Sequence, residues 1–214
     1  MDFLISFFKS GGVFMYVILA LGLWGFAIII ERFIVIYFVN RIDSKAFTNQ
    51  IVQYIRDDKI DKALALCDRS KAALPKIVRG GLEEADLDAE GIQNALELRG
   101  LTVLPKLEKR TGFLSMTANV ATLLGLLGTI WGLIQSFQAV AHADASQKAA
   151  LLTGGIAMAL NTTAFGLIVA IPIMFFYAIL LEKTNSAIDE INENVGVIYQ
   201  ALARRAHERS KIFS

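Results

Sequence analysis

Three long stretches of this sequence contain no charged side chain. They are residues 10–30, 111–141 and 149–181. Each exceeds the roughly 20 residues that an α-helix needs to cross the hydrocarbon of a bilayer. Because 55% of the residues are hydrophobic and only 19% are charged, the composition is also more apolar than that of an ordinary water-soluble domain. The sequence therefore predicts an all-α, polytopic membrane protein with three transmembrane helices.

Charge and cysteine content argue against several classes of function. The formal net charge is +1, whereas nucleic-acid-binding proteins carry a concentrated basic face. One cysteine, Cys67, and two histidines, His142 and His207, supply neither a disulfide framework nor a metal site of recognisable ligand spacing. The sequence also lacks a nucleotide loop and a nucleophile elbow. We therefore expect no enzyme activity, no metal, no organic cofactor and no nucleic-acid partner.

Basic residues predict the orientation of the chain in the membrane. Residues 41–110 contain 13 Lys and Arg, whereas residues 142–148 contain a single Lys. The positive-inside rule places the longer segment in the cytoplasm. The predicted order is an external N-terminus (1–9), a first transmembrane helix (10–39), a cytoplasmic helical region (40–110), a second transmembrane helix (111–141), a short external loop (142–148), a third transmembrane helix (149–181) and a cytoplasmic C-terminal helix (182–214).

Helical patterns also occur in the predicted cytoplasmic region. A helix that begins at Ser44 is expected to bury one apolar face, formed by Phe47, Ile51 and Ile55. Asp57 or Asp58 is expected to cap a second helix, and Pro75 with Gly80-Gly81 is expected to interrupt helical structure.

Two further patterns involve long helices. A helix from Asp88 is predicted to continue through Pro105 into the second span, with a bend at the proline. Beyond residue 181, apolar residues recur at steps of three or four, at Ile188, Ile191, Val195, Ile198 and Leu202. Such a stripe requires a partner helix.

Small residues recur along the second uncharged stretch at alternating steps of three and four. They are Ser115, Ala118, Thr122, Gly125, Thr129, Gly132, Ser136 and Ala139, which we term the helix-two seam. The third stretch contains a matching helix-three seam of Gly155, Ala159, Thr162 or Thr163, Gly166 and Ala170. Because small side chains let helices approach closely, we expect the seams to share an interface packed by Gly125, Gly132, Ser136, Gly155, Ala159, Gly166 and Ala170.

Polar side chains lie within both seams. Asn161 precedes two threonines at the centre of the third stretch, and an unpartnered amide in hydrocarbon is costly. Thr129 and Thr163 each lie roughly 20 Å from the outer boundary at the rise of an α-helix, so their hydroxyls are predicted to face the same layer. The pattern predicts an ion path lined by Thr122, Thr129, Asn161, Thr162 and Thr163.

A packing interpretation of the same residues remains open. A threonine in a membrane helix commonly donates to its own i−4 carbonyl, and small residues commonly serve packing alone. The chain would then be a nonconducting membrane scaffold that packs and recruits partner helices. The second and third stretches contain no Asp, Glu, Lys or His, so a proton path would need a titratable group from another chain.

Three segments resemble a known family of ion channels. "LEKRTGFLSMTANVATLLGLLGTIWGLIQSF" and "GGIAMALNTTAFGLIVAIPIMFFY" resemble the two signature helices of the MotA/TolQ/ExbB family, and "IIIERF" fits the end of its first helix. The resemblance implies a homopentamer in the bacterial inner membrane, with its external segments in the periplasm. It also implies two copies of a single-span ExbD/TolR/MotB-like partner with a membrane aspartate, and a TonB/TolA-like or other periplasmic effector. Thr129 and Thr163 match the family's pore-facing threonines.

The resemblance implies that ion flow through the complex drives mechanical work. Where the ExbB and TolQ branches usually carry a glutamate, this chain has Met158. The oxygens of Asn161, Thr162 and Thr163 would also suit sodium, so the transported ion is expected to be H⁺ or Na⁺. Pro172 in the third span is interpreted either as a local kink or as a hinge.

Overall fold

All regular secondary structure in the computed structural model, which describes residues 7–8, 11–39 and 42–213, is helical. The elements are α1 (Val13–Ile34) with a π-helical extension (Val35–Val39), α2 (Ser44–Arg56), α3 (Ile60–Asp68), α4 (Ala73–Glu83), α5 (Ala89–Val103), α6 (Pro105–Glu108), α7 (Thr111–Ala141) and α8 (Lys148–Phe213). The predicted all-α class is confirmed. Most of the expected external N-terminus, 1–9, lies outside the described residues, as do residues 40, 41 and 214.

Three helical segments are long and apolar enough to cross a membrane. They are Val13–Tyr37, Ala89–Ala141 and Lys148–Arg209. The chain divides into two compact units. Unit I comprises residues 1–31 and 110–179, and unit II comprises residues 32–109 and 180–214.

In unit I, α1 packs against α8 through glycines. A Cβ atom on Gly22 would lie 3.0 Å from Cγ1 of Val169, and one on Gly25 would lie 2.7 Å from Cδ1 of Ile173. The absence of these two side chains therefore allows the close approach of the helices. Large apolar side chains remain exposed on unit I, including Leu123, Leu126, Ile130, Ile134, Ile168, Ile171 and Phe175. Such exposure is typical of a surface that faces lipid or neighbouring helices.

The predicted helix from Asp88 is interrupted at Pro105, and a second break precedes α7. Helix α5 ends at Val103, and Pro105 is the first residue of the short helix α6, a position that needs no backbone N–H donor. The break before α7 occurs at Arg110, whose φ is +70°. Nη1 of Arg110 lies 2.6 Å from both carboxylate oxygens of Glu31. A left-handed residue held by an ion pair therefore separates the second span from the helices before it.

Unit II has an apolar core to which the C-terminal part of α8 contributes. Phe47, Ile51 and Ile55 of α2 are buried there, as predicted. The stripe on α8 also packs into this core, with Ile191, Ile198 and Leu202 buried and Ile188 and Val195 partly buried. The predicted need of that stripe for partner helices is confirmed, and the partners belong to the same chain.

Two local predictions in unit II are wrong. The residue before α3 is Lys59, which makes no side-chain capping bond, whereas Asp58 occupies the preceding turn with φ +58°. Pro75 and Gly80-Gly81 lie inside α4. Pro75 is in the first turn, where helices tolerate proline. A Cβ atom on Gly81 would lie 2.5 Å from Cδ2 of Leu96, so this glycine permits packing between α4 and α5.

Candidate ion-pathway site

Helices α7 and α8 touch through backbone atoms along the two seams. A Cβ atom on Gly125 would lie 3.3 Å from Cα of Thr163 and 3.4 Å from Cα of Gly166. One on Gly132 would lie 3.1 Å from the backbone nitrogen of Ala159. These glycines therefore let the two helices approach to backbone contact.

One glycine of this contact was not part of the predicted seam. A Cβ atom on Gly128 would lie 2.2 Å from Cγ2 of Thr162, so no larger residue fits without movement. Gly166 packs against the neighbouring turn of α7. A Cβ atom on Gly166 would lie 2.8 Å from the carbonyl oxygen of Ala121. The small buried residues of α7 from Ala118 onward are Ala118, Ala121, Gly125, Gly128, Gly132 and Ser136. The available sequence signal was the three-residue step from Gly125 to Gly128.

Ser136 lies at the loop-proximal end of the contact. Its hydroxyl lies 3.1 Å from the carbonyl oxygen of Leu151 and 3.3 Å from that of Leu152. A Cβ atom on Gly155 would lie 2.2 Å from Cβ of Ser136. Both the small size and the hydroxyl of Ser136 therefore serve the contact between the two helices.

The hydroxyls of the two adjacent threonines of α8 make hydrogen bonds within unit I. Thr163 donates to the carbonyl oxygen of Gly125 at 2.9 Å. Thr162 is fully buried, and its hydroxyl lies 2.9 Å from the carbonyl oxygen of Gly11 and 2.8 Å from that of Met158. Asn161 beside them is half-buried. The arrangement ties α8 both to α7 and to the residue pair that precedes α1.

Thr122 and Thr129 lie on the flank of the contact stripe. The hydroxyl of Thr122, an exposed residue, donates to the carbonyl oxygen of Ala118 at 3.0 Å. Thr129 is partly exposed and donates to the carbonyl oxygen of Leu126 at 2.6 Å. A hydroxyl that donates its proton retains lone pairs that accept hydrogen bonds. Outside the α7–α8 contact, these two threonines therefore offer neutral oxygen acceptors.

Thr129 and Thr163 donate to neighbouring carbonyl oxygens of α7. The acceptor of Thr163 is Gly125, and the acceptor of Thr129 is Leu126, the next residue. At the rise of an α-helix, these two carbonyl groups are about 1.5 Å apart along the helix axis. The two hydroxyls therefore lie at a similar depth, as the predicted common layer requires.

Pro172, the hinge candidate, lies within the continuous helix α8. Ile173, the next residue, is fully buried, and its Cδ1 lies near Gly25 of α1. Two other predicted packing residues, Ala159 and Ala170, are buried as well. A hinge at Pro172 stays a prediction.

The family comparison agrees with the resemblance seen in the sequence. Residues 69–193 match the family model described as the MotA/TolQ/ExbB proton channel family. An ExbB homolog from Methanothermobacter thermautotrophicus is 26% identical over 187 residues, which cover 87% of this chain and 66% of the homolog. The biopolymer transport protein ExbB of Salmonella typhimurium is 33% identical over 109 residues, or 49% of this chain and 44% of that protein. The matches thus span less than two thirds of either relative.

A solved structure shares the fold of this chain. The structure of C. jejuni MotAB matches it with a TM-score of 0.60 at 14% sequence identity. The match covers 94% of this chain and 82% of the other. The arrangement of helices is therefore one already known from the MotAB structure.

Proposed function

This chain belongs to the MotA/TolQ/ExbB proton channel family, and from that membership we propose that it is the ion-channel (stator) subunit of an energy-transducing complex of the bacterial inner membrane. The complex would couple proton or sodium motive force to mechanical work. The observation that carries the proposal is the position of Thr122 and Thr129, which offer oxygen acceptors just outside the packed α7–α8 contact.

The chemistry of the spans supports a two-component complex. Residues 111–141 and 149–181 contain hydroxyls and the amides of Asn119, Gln135, Gln138 and Asn161, but no acid, lysine or histidine. Such groups can hold water or coordinate an ion, but they do not exchange protons near neutral pH. The proposed complex is a homopentamer around two copies of a single-span ExbD/TolR/MotB-like protein, whose membrane aspartate supplies the titratable group. A TonB/TolA-like or other periplasmic effector would receive the work.

The proposed orientation follows from the basic residues. With 13 Lys and Arg in residues 41–110 and one in residues 142–148, the longer segment lies in the cytoplasm. The N-terminus is then periplasmic and the C-terminus cytoplasmic. Cysteine-accessibility labelling of single cysteines introduced at Ala145 and Ala65 tests this: in whole cells, a membrane-impermeant maleimide should modify only the cysteine at position 145.

The transported ion is H⁺ or Na⁺. Met158, at the position where ExbB and TolQ branches usually carry glutamate, is half-buried, and its Sδ would lie 3.5 Å from a Cβ atom on Gly12. An apolar side chain there adds no proton-binding group, and the hydroxyl and amide oxygens nearby suit either ion. Replacing Na⁺ by K⁺ in the external medium should abolish ion-driven work only if Na⁺ is carried.

A matched pair of valine variants tests the ion path. Thr129→Val keeps the shape of the side chain and removes its oxygen, whereas Thr153→Val removes an exposed hydroxyl that also donates to a carbonyl of its own helix, that of Ala149. With the single-span partner coexpressed, purified complexes are reconstituted in vesicles that report proton or sodium entry. Thr129→Val should stop ion entry without dispersing the complex, and Thr153→Val should preserve it. Full conduction by Thr129→Val would refute the assignment.

The scaffold function has an observation of its own. Thr122, Thr129, Thr162 and Thr163 all donate to backbone carbonyls, which is an arrangement that packing alone explains. If the chain is a nonconducting scaffold, Thr129→Val should be silent. Gly132→Leu, which would collide with the backbone of Ala159, should then disrupt assembly and recruitment of partners.

A further inference from the structure

A basic groove lies in unit II, outside the candidate ion pathway. Its charged lining residues are Lys76, Arg79 and Glu83 of α4, Arg99 of α5 and Lys106 of α6, and its volume is about 410 Å³. Four cationic side chains therefore face one carboxylate. We use the term basic groove for this set of five residues.

The single carboxylate is already paired with the two arginines. Nε of Arg79 lies 3.1 Å from Oε1 of Glu83, and a terminal nitrogen of Arg99 lies 3.3 Å from Oε2. A further nitrogen of Arg79 lies 3.1 Å from Asp68. The ion pairs in the described part of the chain include neither Lys76 nor Lys106. The groove thus holds two lysines with uncompensated charge beside two oriented guanidinium groups, which is a combination suited to a phosphate oxyanion.

Gly80 helps to form the floor of the groove. A Cβ atom on Gly80 would lie 2.2 Å from Cγ of Arg99. The side chain of Arg99 therefore crosses α4 directly over this glycine, and a larger residue at position 80 would displace it. The placement of Arg99 beside Glu83 depends on this contact.

Within unit II, one end of the groove lies close to a contact made by Arg32. Lys106 precedes Leu107, whose carbonyl oxygen accepts a hydrogen bond from Nη1 of Arg32 at 3.4 Å. Arg32 belongs to the apolar helical segment Val13–Tyr37. Because basic side chains beside a bilayer are attracted to anionic headgroups, a lipid phosphate is the oxyanion that the proposed membrane placement would bring to this groove. We propose that the basic groove binds the headgroup phosphate of an anionic phospholipid.

This proposal rests on the membrane placement given under the proposed function, but it does not depend on ion conduction. The probe is phosphatidylglycerol, with phosphatidylcholine as the uncharged comparison. The purified full-length chain in detergent is titrated with each lipid, and native mass spectrometry counts the bound molecules. The groove variant is Lys76→Gln with Lys106→Gln. The control is Lys62→Gln with Lys71→Gln, which removes two exposed lysines of unit II that do not line the groove.

The groove variant should bind phosphatidylglycerol about 30-fold more weakly, since each basic side chain near an anionic headgroup contributes roughly fivefold. The control should retain the affinity of the unmodified chain, and phosphatidylcholine should bind both variants equally. Equal losses of affinity for phosphatidylglycerol in the groove variant and the control variant would show nonspecific charge attraction and would overturn the proposal. Unchanged binding by the groove variant would also overturn it.

Glycerol 3-phosphate distinguishes a lipid from a soluble phosphate ester. If it displaces phosphatidylglycerol at micromolar concentration, the ligand is a soluble ester and the lipid assignment is wrong. Because the readout requires neither partner nor ion gradient, loss of conduction in Thr129→Val and loss of lipid binding in the groove variant test separate claims. A chain that binds the lipid but does not conduct would refute only the proposed function.

Discussion

The hydroxyl of Thr163 donates to the backbone carbonyl oxygen of Gly125 at 2.9 Å, which joins α8 to α7 where Gly125 and Gly166 bring the two backbones together. Thr129, one turn further along α7, instead bonds the carbonyl oxygen of Leu126 in its own helix. The two threonines that the sequence resemblance predicts to face a pore therefore differ in their hydrogen bonds. Removal of the Thr163 hydroxyl breaks a bond between helices, whereas removal of the Thr129 hydroxyl does not.

We therefore expect Thr163→Val to lower the stability of the chain. Loss of an interhelical hydrogen bond in a membrane protein costs about 0.6 kcal/mol on average and up to about 2 kcal/mol, and the carbonyl of Gly125 would lose one partner. Thr163→Ser should retain most of the stability because it keeps the hydroxyl. Thermal unfolding of the full-length chain in detergent measures the difference. A Thr163→Val protein as stable as Thr163→Ser would show that the hydrogen bond contributes little.

The contact at Gly128 gives a sharper prediction. Gly128→Ala should destabilise the α7–α8 pair by about 1–3 kcal/mol, as overpacking of a close contact does, because the new Cβ would meet Cγ2 of Thr162 at 2.2 Å. Gly154→Ala is the matched control, since no atom lies within 4 Å of a Cβ built on Gly154. It should be neutral or slightly stabilising because alanine has the higher helix propensity. Equal unfolding temperatures for the two variants would contradict the observed packing.

The contrast between Gly128 and Thr129 also shows what the sequence could predict. The uncharged stretches predicted the apolar spans, because a run of apolar residues is a local property. The spacing of small residues predicted a close helix contact, but a step of four from Gly125 led to Thr129, whereas the observed stripe takes a step of three to Gly128. Both steps join small residues, so the pattern on α7 permits either face, and the position of the partner helix decides between them.

The helix break at Arg110 could not be predicted from the sequence, because it too depends on a residue that is distant along the chain. Proline is the conspicuous helix breaker in that region, and Pro105 does separate α5 from α6. The left-handed conformation occurs at Arg110, whose guanidinium pairs with Glu31, 79 positions earlier in the chain. By contrast, the buried face of α2 and the stripe on α8 were predicted correctly, since each of these segments has one apolar side.

Cys67 should resist alkylation in the folded protein. The residue is buried in the core of unit II, and burial, with a smaller contribution from the charge of Asp68, raises the pKa of its thiol from 9.0 to about 12. At pH 8 the reactive thiolate is then about a thousandfold less populated than in the unfolded chain. Iodoacetamide labelling followed by mass spectrometry should modify Cys67 only after denaturation. Rapid labelling of the native protein would contradict the observed burial.

The raised pKa of Cys67 also determines how the thiol makes the free energy of unfolding depend on pH. In the unfolded chain the thiol loses its proton near pH 9.0, whereas in the folded chain it keeps the proton up to about pH 12. Between these values the folded state binds more protons, so the free energy of unfolding decreases as the pH rises. Cys67→Ala should reduce this alkaline loss. An identical pH dependence of unfolding in the variant would show that other groups dominate.

Arg205, in the C-terminal part of α8, should stabilise the two turns of unit II that contain Asp58 and Ala85. Its Nε donates to a carboxylate oxygen of Asp58 at 2.7 Å, and Nη1 donates to the carbonyl oxygen of Ala85 at 2.8 Å. A lysine ammonium cannot reproduce this forked geometry, so Arg205→Lys should lower the stability of unit II by about 1–2 kcal/mol. Trypsin cleavage after Lys59, in the turn beside Asp58, should then accelerate. The Arg204→Lys protein, changed at an exposed neighbouring position, should be cleaved at the rate of the unmodified chain. Equal cleavage rates in the unmodified chain and both variants would refute the role assigned to Arg205.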